Sequence, residues 1–232
     1  MKLLRSCVVR RIETSGLIFV TGLLFFVMFA VVEGPWDRLA DWHRLTGQWP
    51  VPLEIARWIS HWCDFWPGGL LFCLTLGAVG IGLRQPHLGR AALVAITAAL
   101  LAGTVTVALK GILGRARPHV AQTLQIDDGF HGPHLTSGFA SFPSGHTTTA
   151  FAVAVTLAIL VPKVGKPAVV MAGIIGWSRA YVGAHYLGDV VAGMWIGSYV
   201  GWLLAMSYRT WRLWKEEFHD LRQVRTEETH LV

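Results

Sequence analysis

The chain has 232 residues, of which 53% are hydrophobic and only 15% are charged, and its mean hydropathy is +0.48. Soluble domains contain about 25% charged residues, so this composition excludes an ordinary soluble domain and indicates a polytopic membrane protein. The formal net charge of +6 is also compatible with nucleic-acid binding, but most of the cations flank apolar runs. Cations in such positions orient membrane helices. We therefore expect the lipid bilayer, and no nucleic acid, as a partner.

Apolar runs of membrane-spanning length recur along the chain. The predicted spans cover residues 14–32, 67–83, 91–109, 147–161, 167–184 and 190–208. With the N-terminus inside, thirteen of the 20 lysine and arginine residues lie on the cytoplasmic side. The positive-inside rule therefore predicts that both termini are cytoplasmic. We expect an all-α fold in which residues 1–208 form a six-transmembrane-helix bundle.

Three segments outside the spans differ from them in composition. Residues 33–66 hold six of the chain's eleven tryptophans, mixed with acids, arginines and prolines. Tryptophan prefers the headgroup level of a membrane, so this segment is predicted to lie on the membrane surface, partly as a short amphipathic helix. Residues 110–146 are predicted to form a polar outer loop, and residues 209–232 a charged cytoplasmic tail.

The outer loop begins with two cations on either side of a glycine. Lys110 and Arg117 are seven residues apart, with Gly114 between them and Pro118 directly after. A helical continuation of the third span would put both cations on one side of the helix, where the glycine would let an anion come close. Lysine and arginine at a membrane interface also snorkel without any ligand. This segment alone therefore does not establish a site.

The outer loop ends in the sequence Pro-Ser-Gly-His, directly before the fourth span. Ser144 is a good helix N-cap, and the amides of Gly145 and His146 would lie at the positive end of the helix dipole. Such a helix start binds anions readily, and His146 could protonate a group that leaves the bound anion. A capped helix with an incidental histidine is the simpler interpretation of this segment taken alone.

The junction between the fifth and sixth spans carries Arg179, His185 and Asp189. Ionisable groups beside hydrocarbon are costly, so their presence makes a functional site the default hypothesis. If the chain after Gly183 is helical, His185 and Asp189 share a face and the carboxylate reaches one ring nitrogen. A histidine oriented in this way is a base or a nucleophile. A structural ion pair is the alternative.

The predicted topology places these three segments on the same side of the membrane. Together they supply three cations, two histidines, one carboxylate and a helix N-terminus. Phosphoryl transfer spreads charge over three oxygens, and this set of groups suits that distribution. Glycines recur every four residues at Gly193, Gly197 and Gly201, on the helix face that also carries Asp189. Small residues at this spacing predict close helix packing, so that face is expected to turn into the bundle.

The three segments resemble the three-part signature of the type-2 phosphatidic acid phosphatase family. The pattern KxxxxxxRP occurs at Lys110–Pro118, PSGH at Pro143–His146 and SRxxxxxHxxxD at Ser178–Asp189. Every defined position is present at the family's spacing, and the resemblance covers the whole predicted bundle.

The resemblance implies a role for each motif residue. His185 would be the nucleophile that forms a phosphohistidine, Asp189 would orient its ring, and His146 would protonate the leaving oxygen. The phosphoryl oxygens would be held by Lys110, Arg117, Ser144, Gly145 and Arg179. No metal or other cofactor is expected, since three side-chain cations would do the work of a divalent ion.

These roles predict an integral-membrane phosphatase that acts at the outer face of the cytoplasmic membrane. Its substrate would be the phosphate monoester or pyrophosphate of a lipid, such as phosphatidic acid, phosphatidylglycerophosphate, undecaprenyl pyrophosphate or lipid A. A phosphotransferase that passes the phosphoryl group to a second lipid is the alternative within the same chemistry.

Two other functions fit the sequence less well. An anion transporter would need polar residues through the bilayer, whereas here they cluster at one face. Vanadate-dependent oxidation belongs to related haloperoxidases that are soluble. His131 and His134 in the outer loop are weak evidence for a metal site, and contact with a substrate headgroup is the preferred interpretation.

Overall fold

The computed structural model describes Gly22 and residues 50–230. The predicted first span therefore lies outside the described residues except for Gly22, as does the part of the tryptophan-rich segment before residue 50. Within the described residues the chain is all-helical and forms no β-strand, which confirms the predicted all-α class. The helices are α1 (Pro50–Trp62), α2 (Leu70–Gly82), α3 (Pro86–Leu113), α4 (Pro118–Leu124), α5 (Gly145–Leu160), α6 (Pro162–Tyr181) and α7 (Leu187–His230). A short π-helical turn, Phe65–Gly69, precedes α2, and a 3-10 turn, Ser137–Phe139, precedes α5.

Three stretches of the described helices are long and apolar enough to cross a membrane: Phe65–Gly82, Pro86–Leu113 and Leu187–Phe218. They correspond to the predicted second, third and sixth spans. Helix α5 has only 16 residues, which at 1.5 Å per residue reach about 24 Å. That is less than the hydrocarbon core of a bilayer, which is about 30 Å thick. Helix α6 is 20 residues long but less apolar, because it carries two lysines and one arginine.

Helix α5 lies at the centre of the bundle, where it packs against α3, α6 and α7. Its contact with α7 depends on glycine. A methyl group on Gly197 would fall on the carbonyl oxygen of Thr148, and one on Gly201 would approach the carbonyl oxygen of Ala152. The prediction that this glycine face turns into the bundle is thereby confirmed. On another side of α7, Gly22 lies against the indole of Trp195.

Two local expectations about helices are wrong. Helix α3 ends at Leu113, and Gly114 takes a left-handed conformation with φ of +54°. Arg117 therefore lies in extended backbone and not on a continuation of the third span. Helix α7 begins only at Leu187, so His185 precedes the helix that carries Asp189. In both places a glycine with positive φ (Gly114 or Gly183) turns the chain before the next helix begins.

Candidate active site

Four helix ends meet at one end of the bundle, and each carries a predicted site residue. Lys110 lies in the last turn of α3, His146 in the first turn of α5, Arg179 in the last turn of α6 and Asp189 in the first turn of α7. The start of α5 is bonded directly to α7, since the Ser144 amide donates to the Asp189 carbonyl at 3.0 Å. The structure thus brings together the three segments that the sequence placed on one face.

The Asp189 carboxylate is completely buried and accepts hydrogen bonds on both oxygens. Oδ1 accepts from Arg115 Nη1 at 2.9 Å. Oδ2 accepts from the Ser141 hydroxyl and from the Tyr186 amide, the latter at 3.0 Å. A buried carboxylate needs such partners to remain charged. Asp189 therefore joins the loop after α3, the segment before α5 and the start of α7.

The His185 ring is buried, with 2% of its side chain exposed. Its Nδ1 lies 2.8 Å from the Ser141 carbonyl oxygen and 3.5 Å from Asp189 Oδ2. Because a carbonyl only accepts, Nδ1 must carry the proton, and Nε2 keeps its lone pair. Burial lowers the pKa of His185 to about 4, so the ring is neutral at pH 7. The predicted contact with Asp189 is present, but the shorter bond goes to Ser141.

Of the three predicted phosphate-binding cations, Lys110 and Arg179 act electrostatically on this ring. Lys110 interacts electrostatically with Arg117, Arg179 and Asp189. Arg117 Nε donates to the Ser137 carbonyl at 3.0 Å, and burial lowers the pKa of Arg117, which still stays charged at neutral pH. Arg179 Nε is buried and has no hydrogen-bond acceptor among the described residues. A buried unsatisfied donor of this kind is expected where an anion binds.

Ser144 occupies the N-cap position of α5, as predicted, but its side chain does not cap the helix. Its hydroxyl oxygen accepts from Thr147 Oγ1 at 2.9 Å, so the Ser144 proton is left for another acceptor. Gly145 brings the helix start close to Lys110, because a methyl group there would be 3.9 Å from Lys110 Nζ. The start of α5, which was predicted to bind an anion, therefore lies beside Lys110.

His146 makes contacts that the sequence did not indicate. Its Nε2 lies 3.1 Å from the Ser60 carbonyl oxygen and 3.2 Å from Asp64 Oδ2. Ser60 belongs to α1, and Asp64 lies just beyond its end. Burial raises the pKa of Asp64.

Three residues of the site were not predicted from the sequence: Arg115, Ser141 and Asp64. In the sequence Arg115 is one of several loop cations, and Ser141 precedes its motif by two residues. Asp64 lies in the tryptophan-rich segment that was predicted to lie on the membrane surface. The one available signal was that Arg115 lies inside the first motif, between Lys110 and Arg117. Its burial and its pairing with Asp189 depend on the loop fold.

The loop between α4 and α5 closes over Arg115. Arg115 Nε donates to the Asp128 carbonyl at 3.0 Å, and its guanidinium lies 4.2 Å from the Tyr186 ring centre. His131 and His134 both contact the ring of Phe139, and His134 stacks on it at 4.3 Å. Both histidines therefore pack against an aromatic ring of their own loop.

The sequence profile of the PAP2 superfamily matches residues 91–213, just over half of the chain. The chain belongs to the PAP2 superfamily. All three motifs lie within the matched residues, whereas Ser60 and Asp64 lie outside them.

Individual relatives resemble the chain over different lengths. The decaprenylphosphoryl-5-phosphoribose phosphatase of Mycobacterium tuberculosis is 33% identical over 154 residues, which are 66% of this chain and 78% of that protein. The lipid A 1-phosphatase of Rhizobium etli is 35% identical over 120 residues, 48% of each chain. The aligned part thus spans about half the length of the lipid A 1-phosphatase.

The fold also matches a solved PAP2 structure. The crystal structure of a transmembrane PAP2-type phosphatidylglycerolphosphate phosphatase from Bacillus subtilis superposes with a TM-score of 0.58 at 21% identity. The superposition covers 84% of this chain and 96% of that chain. At 21% sequence identity, this structural similarity shows that the two proteins share a fold.

Proposed function

We propose that the protein is an integral-membrane phosphatase that hydrolyses the phosphate monoester or pyrophosphate of a lipid through a phosphohistidine, without a metal. The observation that carries this proposal is the state of His185. Its Nδ1–H is held by the Ser141 carbonyl, which leaves the Nε2 lone pair free, and Lys110 and Arg179 act on the ring electrostatically. The Nε of Arg179 has no hydrogen-bond acceptor among the described residues. An oriented neutral imidazole next to cations is suited to attack a phosphoryl group.

In the first step, Nε2 of His185 attacks phosphorus as the bond from phosphorus to the leaving oxygen breaks. His146 donates a proton to that oxygen. The product is a phosphohistidine, whose positive ring is stabilised by Asp189. In the second step, water attacks the phosphorus, His146 takes a proton from the water, and the phosphorus–nitrogen bond breaks. Inorganic phosphate leaves and both histidines return to their starting states.

The charge on the phosphoryl oxygens is spread over several fixed donors during both steps. Lys110, Arg117 and Arg179 supply positive charge. The Ser144 hydroxyl, whose oxygen already accepts from Thr147, directs its own proton toward the phosphate. The Gly145 amide, at the start of α5, adds a donor at the positive end of a helix dipole.

An apolar groove of about 590 Å³ supports a lipid substrate. It runs between α1, α2, α5 and α6, and its walls include Trp62, Phe72 and Met171. Cys63, Phe65 and Thr149 also line the groove. These residues flank Asp64 in the chain or lie within one turn of His146, so part of the groove lies near the place expected for the leaving group. The names of the relatives, which are phosphatases of lipid-linked phosphates, point to the same class of substrate.

We place residues 1–208 in a six-span core, with both termini and the tail of residues 209–232 in the cytoplasm. The site would then lie at the outer face of the cytoplasmic membrane. This arrangement is supported by the excess of cations on the predicted inner side and by the meeting of four helix ends at one end of the bundle. Exposed Trp58, Trp62 and Trp66 support a position of α1 at the membrane interface.

Phosphate release tests the proposed function. The purified protein in detergent micelles is given phosphatidic acid, phosphatidylglycerophosphate, undecaprenyl pyrophosphate and lipid A, each with and without EDTA. We expect release from at least one lipid, insensitive to EDTA and abolished in His185→Ala. His87→Ala is the matched control, since His87 is exposed in the first turn of α3, at the other end of the bundle. Equal phosphate release by wild type and His185→Ala would refute the proposal. If the phosphate of the substrate carries a label, recovery of that label in a second lipid would identify a phosphotransferase.

A further inference from the structure

The end of α1 reaches the active site from outside the segment that defines the family. His146 Nε2 contacts the Ser60 carbonyl oxygen at 3.1 Å and Asp64 Oδ2 at 3.2 Å. A carbonyl and a carboxylate both accept, so Nε2 of His146 carries a proton. Nδ1 is then the nitrogen that exchanges a proton with the leaving oxygen. When Nδ1 is also protonated, His146 is a cation that faces the Asp64 carboxylate.

The surroundings of His146 otherwise disfavour a positive charge. Burial is the largest cause, and Arg179 on α6, His185 before α7 and Lys110 on α3 add to it electrostatically. A general acid must nevertheless be protonated when the leaving oxygen departs. Asp64 is the carboxylate that contacts His146 in the described part of the chain. Asp189, the other carboxylate of the site, is bonded to Arg115 and Ser141.

The Asp64 carboxylate is held in place for this contact. Its Oδ1 accepts from the Phe65 amide at 2.7 Å, which leaves Oδ2 directed at His146. The charged groups that face Asp64 are His146, Lys110 and Arg179. A carboxylate with one oxygen fixed by the backbone and the other on a histidine resembles the carboxylate–histidine pairs that orient catalytic imidazoles.

We propose that Asp64 is a positioning residue for His146, which holds the ring by Nε2 and favours the protonated form that gives its proton to the leaving group. This role rests on the proposed phosphatase function. It also means that α1, the helix with exposed tryptophans, supplies part of the acid step, so the PAP2-matched residues 91–213 are an incomplete site without it.

The first test compares leaving groups in Asp64→Asn. The alkoxide that departs from a lipid phosphate is a poor leaving group and needs a proton from His146. Nitrophenolate is a good leaving group, so the hydrolysis of nitrophenyl phosphate does not need that proton. Because kcat/KM covers the reaction only up to departure of the leaving group, it excludes the second step, in which His146 acts as a base on either substrate. We expect kcat/KM for the lipid phosphate to fall about 10- to 100-fold, with kcat/KM for nitrophenyl phosphate little changed. Equal losses on both substrates would show a merely structural role, and no loss on either would also overturn the proposal.

The second test is the pH profile of kcat on the lipid phosphate, which needs no artificial substrate. Removing the carboxylate disfavours protonated His146, so the alkaline limb is expected to move to lower pH in Asp64→Asn. Asp64→Glu, which restores a carboxylate, should move it back toward the wild-type position. Glu54→Gln is the matched control, because Glu54 is an exposed acid on α1, the helix that precedes Asp64. An unmoved alkaline limb in Asp64→Asn would refute the role of Asp64, whereas a wild-type protein inactive on every lipid would refute the phosphatase function itself.

Discussion

Arg115 and Asp189 form a buried ion pair that joins the loop after α3 to the first turn of α7. The atoms Nη1 and Oδ1 are 2.9 Å apart, and the two side chains are 2% and 0% exposed. The same carboxylate accepts from Ser141, whose carbonyl oxygen holds His185. The conformation of the loop and the orientation of the proposed nucleophile are therefore parts of one hydrogen-bonded unit.

We predict that Arg115→Met strongly destabilises the protein. Removing one partner leaves the Asp189 charge buried without compensation, which typically costs about 3–5 kcal/mol. Arg212→Met is the matched control, because Arg212 forms an ion pair of similar length with Glu216, at 2.8 Å, on the exposed part of α7. Unfolding in detergent micelles measures both variants. Equal stability of the two would contradict the structural role given to the Arg115–Asp189 pair.

We predict that two glycine-to-alanine substitutions in helices change the stability of the protein in opposite directions. In Gly197→Ala the new methyl group meets the Thr148 carbonyl oxygen, so α7 must move away from α5. Overpacking of this kind costs about 1–3 kcal/mol. In Gly173→Ala the methyl group meets nothing within 4 Å, and removal of a helical glycine stabilises by about 0.5–1 kcal/mol. Thermal unfolding of both variants checks this, and a stabilised Gly197→Ala would contradict the packing described for α7.

The all-helical class and the eight motif residues could be predicted from the sequence, because apolar runs and motif spacing are local properties. The orientation of His185 could not. Its nearest partner, the Ser141 carbonyl, is 44 residues away and approaches only because the outer loop folds back over Arg115. Asp64 was not predicted for the same reason, since the whole of α2, α3 and α4 lies between it and His146 in the chain. The predicted helical register of Arg117 was wrong because Gly114 ends α3 one turn earlier.

We predict that kcat/KM stays high in mildly acidic solution. The nucleophile must be neutral, and burial lowers the pKa of His185 to about 4. Protonation therefore removes activity only as the pH falls toward 4, whereas a solvated histidine would lose it near pH 6.5. Phosphate release measured from pH 4 to pH 8 gives the profile. Asp64 also titrates in the acidic range, so the measurement is repeated in Asp64→Asn, where an acid limb near pH 4 belongs to His185. An acid limb near pH 6.5 in both proteins would contradict this assignment.

Trapping a covalently phosphorylated His185 is the strongest test of the proposed mechanism. The protein in micelles is mixed briefly with a lipid substrate carrying labelled phosphorus, quenched in alkali and digested. A phosphohistidine survives alkali and is lost in acid. We expect acid-labile label on the peptide that contains His185, and none in His185→Ala. Acid-stable label, label on another peptide, or phosphate release by His185→Ala at the wild-type rate would contradict it.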